Sequence, residues 1–286
     1  MTVHKLYRGD VSIDFDDGAH TYYWQEKGLH IPGVTSVLNR SAKPALMGWA
    51  ARVAGEEIRR RLVINHSDLT PAMLNEFSFL TDEKAMKTFL AENAGAEIRV
   101  SLDELCKMIE VSRTAYSREA KSAAGVGHKV HAYAQKMLLY GAGKGPFPDR
   151  PDTSDQRILM GCAAFEEWLA DADVQHAEPE KICFSQQHLY AGTCDLLAVI
   201  KGRLGVLDFK TTGGVYPEMI LQTAAYQCAL EEELGEPVND RWLVRLDKAT
   251  GGFEARKFER EEADIDAFLW LRAFHGEMGR IEGVLK

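Results

Sequence analysis

The chain has 286 residues, 45% of them hydrophobic and 27% charged, with a net charge of −9. That is enough apolar material for one large core, or for a main domain with a smaller attachment. No run of about 18 apolar residues offers a membrane span, and the opening MTVHKLYRGDVSIDFDDG lacks the apolar stretch of a secretory leader. Five cysteines (Cys106, Cys162, Cys183, Cys194 and Cys228) stand far apart without a C-x-x-C pair. Their spacing argues against a zinc knuckle or a disulfide framework, and a reducing cytoplasm is the expected setting.

In chain order, residues 5–38 alternate polar and apolar positions around Asp16-Asp17-Gly18 and Lys27-Gly28, which predicts a small hairpin unit of short strands. Pro44 opens a predicted helix with Leu46, Met47, Ala50, Val53, Ala54 and Ile58 at helical spacing. Residues 63–111 read as further short helices and loops, with cap signals at Thr70-Pro71 and Ser101 to Glu104. A longer helix is predicted over 117–140, ending at Gly141-Ala142-Gly143, and a Pro- and Asp-rich linker follows over 145–155. Ser154 is the expected cap of the next helix, which carries Ile158, Leu159, Cys162, Phe165, Trp168 and Leu169.

From about Ile182 the period becomes strand-like. CFSQQHLY, TCDLLAVI and RLGVLDFK read as three consecutive strands, the last two joined by a tight turn at Lys201-Gly202-Arg203. Pro217 starts a helix that runs to Leu230, WLVRLDK and GFEARKFE form a second hairpin around Thr250-Gly251-Gly252, and a terminal helix carries Phe268, Leu269, Leu271 and Phe274. The chain thus divides into a hairpin unit over 1–42, a helical region over 43–116 and a mixed α/β core over 117–286.

The basic residues bunch at Arg59-Arg60-Arg61 and in the stretch holding Arg113, Arg118, Lys121, Lys129 and Lys136. Composition alone leaves that stretch open between a solvated helix face and a polyanion contact. The overall negative charge does not decide it, because the distribution of charge matters more than its sum.

Chemistry concentrates in Gly192-Thr-Cys-Asp195, Asp208-Phe-Lys210 and Gln222-Thr-Ala-Ala-Tyr226. A turn centred on Gly202 sets Asp195 nearly opposite Asp208. Asp208 and Lys210, two apart on one strand, share a face. Two adjacent carboxylates raise each other's pKa, a cost that a divalent cation removes. Mg²⁺ suits such a site, since it takes one or two carboxylates and keeps other positions for water and phosphate oxygens. A lysine beside it can orient water or neutralise developing charge. By itself D-x-K is common and reads first as an ordinary surface ion pair. Its setting in the apolar run GVLDFKTT, and the shared helix face of Gln222 and Tyr226, argue for more.

With Gly127-His-Lys-Val-His131 upstream, these elements follow the order of a helical G-x-x-x-H, then G-x-x-D, D-x-K and Q-x-x-x-Y. In that order the chain resembles the PD-(D/E)XK nuclease superfamily in its RecB-like, phage exonuclease branch. Ile31-Pro-Gly-Val-Thr-Ser-Val37, followed by Lys43-Pro-Ala-Leu46 and Trp49, is similar to phage-encoded members. The resemblance covers most of the chain and is weakest over 63–110.

It implies a restriction-endonuclease-like α/β core, a central mixed sheet flanked by helices, with the N-terminal hairpin and helical segments as additions. It also implies hydrolysis of DNA phosphodiesters with Mg²⁺ or Mn²⁺, in recombination, repair or replication. By the same carry-over Asp195, Asp208, the Phe209 carbonyl and His131 are the expected metal ligands. Lys210 assists the water, and Gln222 and Tyr226 hold the geometry or touch DNA. Arg113, Arg118, Lys121 and Lys129 are the expected DNA contacts, and Tyr116, Tyr133 and Trp49 are candidates for stacking on bases. The partner expected besides DNA is a single-strand-annealing or recombination protein.

Relatives often place a glutamate one turn after the histidine where this chain has Gln135, which leaves a second metal without that ligand. His128 is read as a bystander, and Glu180 as either a further acidic contributor or a solvated strand-end residue. No cysteine follows Cys228, so no iron–sulfur cluster is expected, and no G-x-x-x-x-G-K-[ST] loop is present for a motor. The leading expectation is an exonuclease. A structure-specific endonuclease and a catalytically silent DNA-binding or partner-inhibiting module are the alternatives.

Overall fold

A computed structural model describes residues 2–41 except 17 and 20, residues 50, 52–55 and 57, and residues 102–285. The predicted helix from Pro44 and the cap signal at Thr70-Pro71 fall largely or wholly outside these residues. Two compact units are distinguished, one of residues 1–42 with 125–286 and one of residues 43–124.

In the first unit the N-terminal segment forms a four-stranded antiparallel meander: β1 (Thr2–Leu6), β2 (Val11–Asp16), β3 (Thr21–Trp24) and β4 (Leu29–Ile31). The short helix α1 (Val34–Leu38) follows. The meander buries Leu6, Val11, Ile13, Tyr22, Trp24 and Ile31 against Ile182, Phe184 and Ala191 of the main sheet. A parallel bridge between Gly33 and Ala191 and a hydrogen bond from Tyr7 Oη to the Phe184 carbonyl stitch the two together. The hairpin segment is therefore part of the same core as the main sheet.

The main sheet has five strands in chain order: β5 (Val174–Ser185), β6 (Tyr190–Ile200), β7 (Arg203–Lys210), β8 (Asp240–Leu246) and β9 (Phe253–Glu259). All neighbours are antiparallel except β7 and β8, which run parallel. The connection between those two is the helix α4 (Pro217–Leu234), as a parallel pair requires. Before the sheet come α2 (Leu102–Gly141) and α3 (Gln156–Asp171), and α5 (Glu262–Val284) closes the chain. Helix, three antiparallel strands, helix and parallel strand make this the mixed α/β architecture expected of a restriction-endonuclease-like core.

One cluster joins α2 and α3 to the sheet through Val130, Tyr133, Phe165, Trp168, Leu207 and Phe209. The opposite cluster joins α1, α4 and α5 through Val34, Tyr190, Val206, Tyr226 and Phe268. Helix α2 passes close enough to α3 that a Cβ at Gly161 would meet Val130 Cγ2 at 2.7 Å.

Several boundaries differ from those the sequence predicts. β5 begins at Val174, and the chain turns over residues 186–189, so CFSQQHLY is the end of one strand, a turn and the start of the next. Polar VQHAEPEK hides the strand from pattern reading. It tolerates Pro179 because β5 is an edge strand that needs no ladder partner on one side. The long helix starts at Leu102, directly after the cap signal at Ser101, and runs unbroken to the predicted stop. Asp155, not Ser154, caps α3, accepting the Arg157 N–H at 3.0 Å. The β6–β7 turn has positive φ at both Lys201 (49°) and Gly202 (78°), the two-residue turn that matches strand twist.

Candidate active site

The tight turn fixes the register. Leu196 pairs with Leu207 and Ile200 with Arg203, and the next step along sets Asp195 opposite Asp208. There the backbone ladder stops. Instead, Asp195 Oδ2 accepts the Phe209 N–H at 2.6 Å, which holds the strands together while they open. On an extended strand the carbonyl of a residue follows its N–H, so the Phe209 carbonyl also lies on the β6 side.

The alternation of β6 inverts at the same place. Before Asp195 the even residues Tyr190 and Cys194 pack in the α4 cluster; beyond it odd Leu197 does, while Leu196, Ala198 and Ile200 face α2 and α3. On β5, Glu180 falls between the pairs Pro179–Leu196 and Lys181–Cys194, level with Asp195, and its φ is +52°. A left-handed glutamate is uncommon, and such strain concentrates at functional sites. In the sequence Glu180 reads more readily as a solvated strand-end residue than as a further acidic contributor. The structure puts its backbone level with Asp195 in the register of β5 and β6, a position that only the true extent of β5 reveals.

His131 reaches the acids from α2, with Nδ1 3.2 Å from Asp195 Oδ1 and its ring edge-on to Phe209. Phe209 is in turn walled by Phe165 and Trp168. Gly127, one turn before, lets the helix come close, since a Cβ there would meet Thr211 Oγ1 at 3.1 Å. His128 and Lys129, on the same turn, are exposed.

From the other side, Lys210 Nζ lies 2.5 Å from Asp208 Oδ2 and donates to Gln222 Oε1 at 2.8 Å. Gln222 Nε2 donates to Tyr226 Oη at 2.8 Å. The Tyr226 ring lies against Gly192, where a Cβ would sit 2.5 Å from Tyr226 Cε1. The glycine of G-x-x-D is thus the seat of the tyrosine of Q-x-x-x-Y. All six predicted side chains, His131, Asp195, Asp208, Lys210, Gln222 and Tyr226, meet in one connected constellation.

The electrostatics are those of a crowded acid pair. Burial works against ionising Asp195, but His131, Lys210 and the Phe209 N–H outweigh it and hold its pKa below the ordinary value. Asp208 is pushed up to about 6 by burial, with the Asp195 charge adding to it and Lys210 opposing. For His131 burial disfavours the charge, and the Asp195 carboxylate overcomes that and raises it to about 9.

Asp208 Oδ2 is buried and accepts no aligned hydrogen bond, the Lys210 ammonium beside it notwithstanding. A buried carboxylate oxygen with spare acceptor capacity, next to a second carboxylate and a backbone carbonyl, suits a hard cation. Among the described residues no three His, Cys, Asp or Glu side chains close into a ready-made metal cluster. The oxygen donors would have to be completed from outside the side chains.

Of the predicted DNA contacts, Arg113, Arg118 and Lys121 lie on α2 within the second unit. There Arg118 is engaged locally, donating to Thr114 Oγ1 at 2.9 Å, with Glu57 3.8 Å away. Tyr133, a stacking candidate, is buried and donates to Glu166, so it belongs to the core.

No protein-family model matches the chain, and no curated protein sequence matches it. Among solved structures it is similar to LHK-Exo in complex with dAMP, at 17% identity and a TM-score of 0.29, over 54% of this chain and 86% of that one. It is also similar to an alkaline exonuclease (LHK-Exo) from Laribacter hongkongensis, at 14% identity and a TM-score of 0.28, over 57% and 93%.

Proposed function

We propose that the chain is a metal-dependent DNA nuclease, an exonuclease acting at ends or in single strands, in recombination, repair or replication. The observation that carries this is the connected run Asp208–Lys210–Gln222–Tyr226 set against the His131–Asp195 pair, with a buried Asp208 oxygen left without an aligned donor. Asp195, Asp208, the Phe209 carbonyl and His131 would hold Mg²⁺ or Mn²⁺, with Glu180 level with Asp195 on the neighbouring strand. When bound, the cation offsets the repulsion of the acid pair and polarises a scissile phosphate.

The chain's own groups do the rest. Gln222 takes one of the three Lys210 donors and so aims the ammonium along the strand end. From there it can hold an attacking water by hydrogen bond and offset the negative charge that builds at phosphorus. Tyr226, seated on Gly192, fixes Gln222. His131 and the Phe209 N–H fix both oxygens of Asp195, so that carboxylate does not have to reorganise when substrate arrives. Arg113, Arg118, Lys121 and Lys129 supply cationic contacts for the DNA backbone.

The test is digestion of end-labelled single- and double-stranded DNA with Mg²⁺ or Mn²⁺. Activity is expected to fall at least about a hundredfold in Asp208→Asn, the scale of losing a preorganised catalytic group, and to vanish in EDTA. Turnover that survives either change overturns the reading. A covalently closed single-stranded circle should stay intact; its cleavage would make the enzyme an endonuclease.

A further inference from the structure

Helix α2 ends in a turn that does not bury its aromatics. The Gly143 N–H bonds to the Tyr140 carbonyl at 2.9 Å and the Lys144 N–H to the Leu139 carbonyl at 2.8 Å, with Gly143 at φ +69°. This left-handed glycine cap folds the chain back on the helix end. Tyr140 and Phe147 then meet edge to face, their centroids 5.2 Å apart, yet they remain 47% and 63% exposed. Two large rings that pack on each other and on no core are an unusual surface expense.

The same turn delivers Lys144 to a groove. A cavity of about 460 Å³ lies between the end of α2 and the irregular first half of β5, and a second of about 330 Å³ continues beside β1. They share Lys144 and Glu178 as lining residues, and the second reaches Glu180, level with Asp195. Among the described residues neither Lys144 nor the exposed Lys136 on the last turns of α2 has an ion-pair partner. Lys181, also in the groove, is by contrast committed to Glu233 at 2.9 Å.

Exposed rings, unpaired cations and a trough leading toward the acid pair are the parts of a single-strand path, since bases stack on rings and phosphates follow the lysines. We propose that Tyr140 and Phe147 form a base-stacking platform for single-stranded DNA, and that Lys144 leads the strand from it along β5 to the Glu180 side of the active site. This rests on the nuclease reading for its destination, but binding at the platform does not require turnover.

The experiment measures fluorescence anisotropy of a labelled single-stranded oligonucleotide about 20 nucleotides long, in EDTA so that nothing is cut, with the full chain and the double variant Tyr140→Ala/Phe147→Ala. Binding should weaken about tenfold or more. Both rings are exposed, so the variant should fold, and its melting curve should match the parent's. Lys144→Ala should lower the dependence of log affinity on log salt by about 0.7, the value for one phosphate contact on a single strand. With Mg²⁺ the double variant should slow on long single strands and keep its rate on short oligonucleotides that fit within the active site. Equal affinity of parent and double variant overturns the platform, whatever the nuclease assay gives. A parent that binds through the two rings but cuts no DNA overturns the nuclease reading and leaves the platform standing.

Discussion

Gly192 matters more than its size suggests, because the Tyr226 ring occupies the volume a Cβ would need. Gly192→Ala should force the ring away, break the Gln222 contact and release Lys210. Overpacking of this kind costs about 1–3 kcal/mol, so the melting temperature and the rate should fall together. Tyr226→Phe separates the two effects. It keeps the ring on Gly192 and loses only the hydroxyl that receives Gln222 Nε2. Its stability loss should be no more than about 1.5 kcal/mol, while kcat falls with KM little changed. A Tyr226→Phe variant with parental kcat would remove Gln222 positioning from the mechanism. D-x-K is legible in sequence as a pattern, but the reason for the glycine three residues before Asp195 is not. It depends on a ring 34 positions later in the chain.

At the scale of elements, the N-terminal meander braces the strand that carries Asp195. Tyr22 Oη and Thr193 Oγ1 lie 3.0 Å apart, and the Ala191 N–H bonds to the Pro32 carbonyl at 3.1 Å. Within the meander Glu26 accepts both the hydroxyl and the N–H of buried Ser12, at 2.5 and 3.0 Å. The Ser12 hydroxyl bond leads in holding the Glu26 pKa down to about 2, from an ordinary 4.5. A carboxyl depressed in the folded state adds stability above its unfolded pKa and loses it as pH falls through the folded one. Thermal melts should therefore lose the Glu26 contribution, a small one because the carboxyl is exposed to solvent, between about pH 4.5 and 2. Glu26→Gln should flatten that slope, and an unchanged profile would refute the role given to Glu26. Strand alternation and turn residues announce the meander in sequence. Its docking onto Ile182, Phe184 and Ala191 could not be read there, because it joins segments about 150 residues apart.

For the whole molecule, a net charge of −9 and a buried acid pair both set a cost that a cation would relieve. Mg²⁺ that binds the folded chain and not the unfolded one should raise stability by about 2.7 kcal/mol at a hundred times its dissociation constant. Differential scanning calorimetry should thus show the melting temperature rising with Mg²⁺ in the parent and staying flat in Asp195→Asn. A rise of equal size in both would place the cation elsewhere. The same global charge makes DNA binding depend on local basic features, so affinity for single strands should fall steeply with salt.

The sequence by itself determined α3 and the succession of elements from β6 onward, the tight β6–β7 turn, the facing of Asp195 and Asp208 and the common face of Gln222 and Tyr226. Each follows from a local period or a two-residue turn, which neighbouring residues dictate. The approach of His131 to Asp195 across 64 positions is implied by the family resemblance, and its geometry comes from the packing of α2. Tertiary structure alone decided that Tyr226 seats on Gly192 and that Glu180 lies level with Asp195. It also set the true start of β5, whose polar, proline-bearing first half carries no alternation to read. Those facts arise from how α2, β5 and α4 pack around one sheet end, and packing between distant segments leaves no periodic trace in the chain.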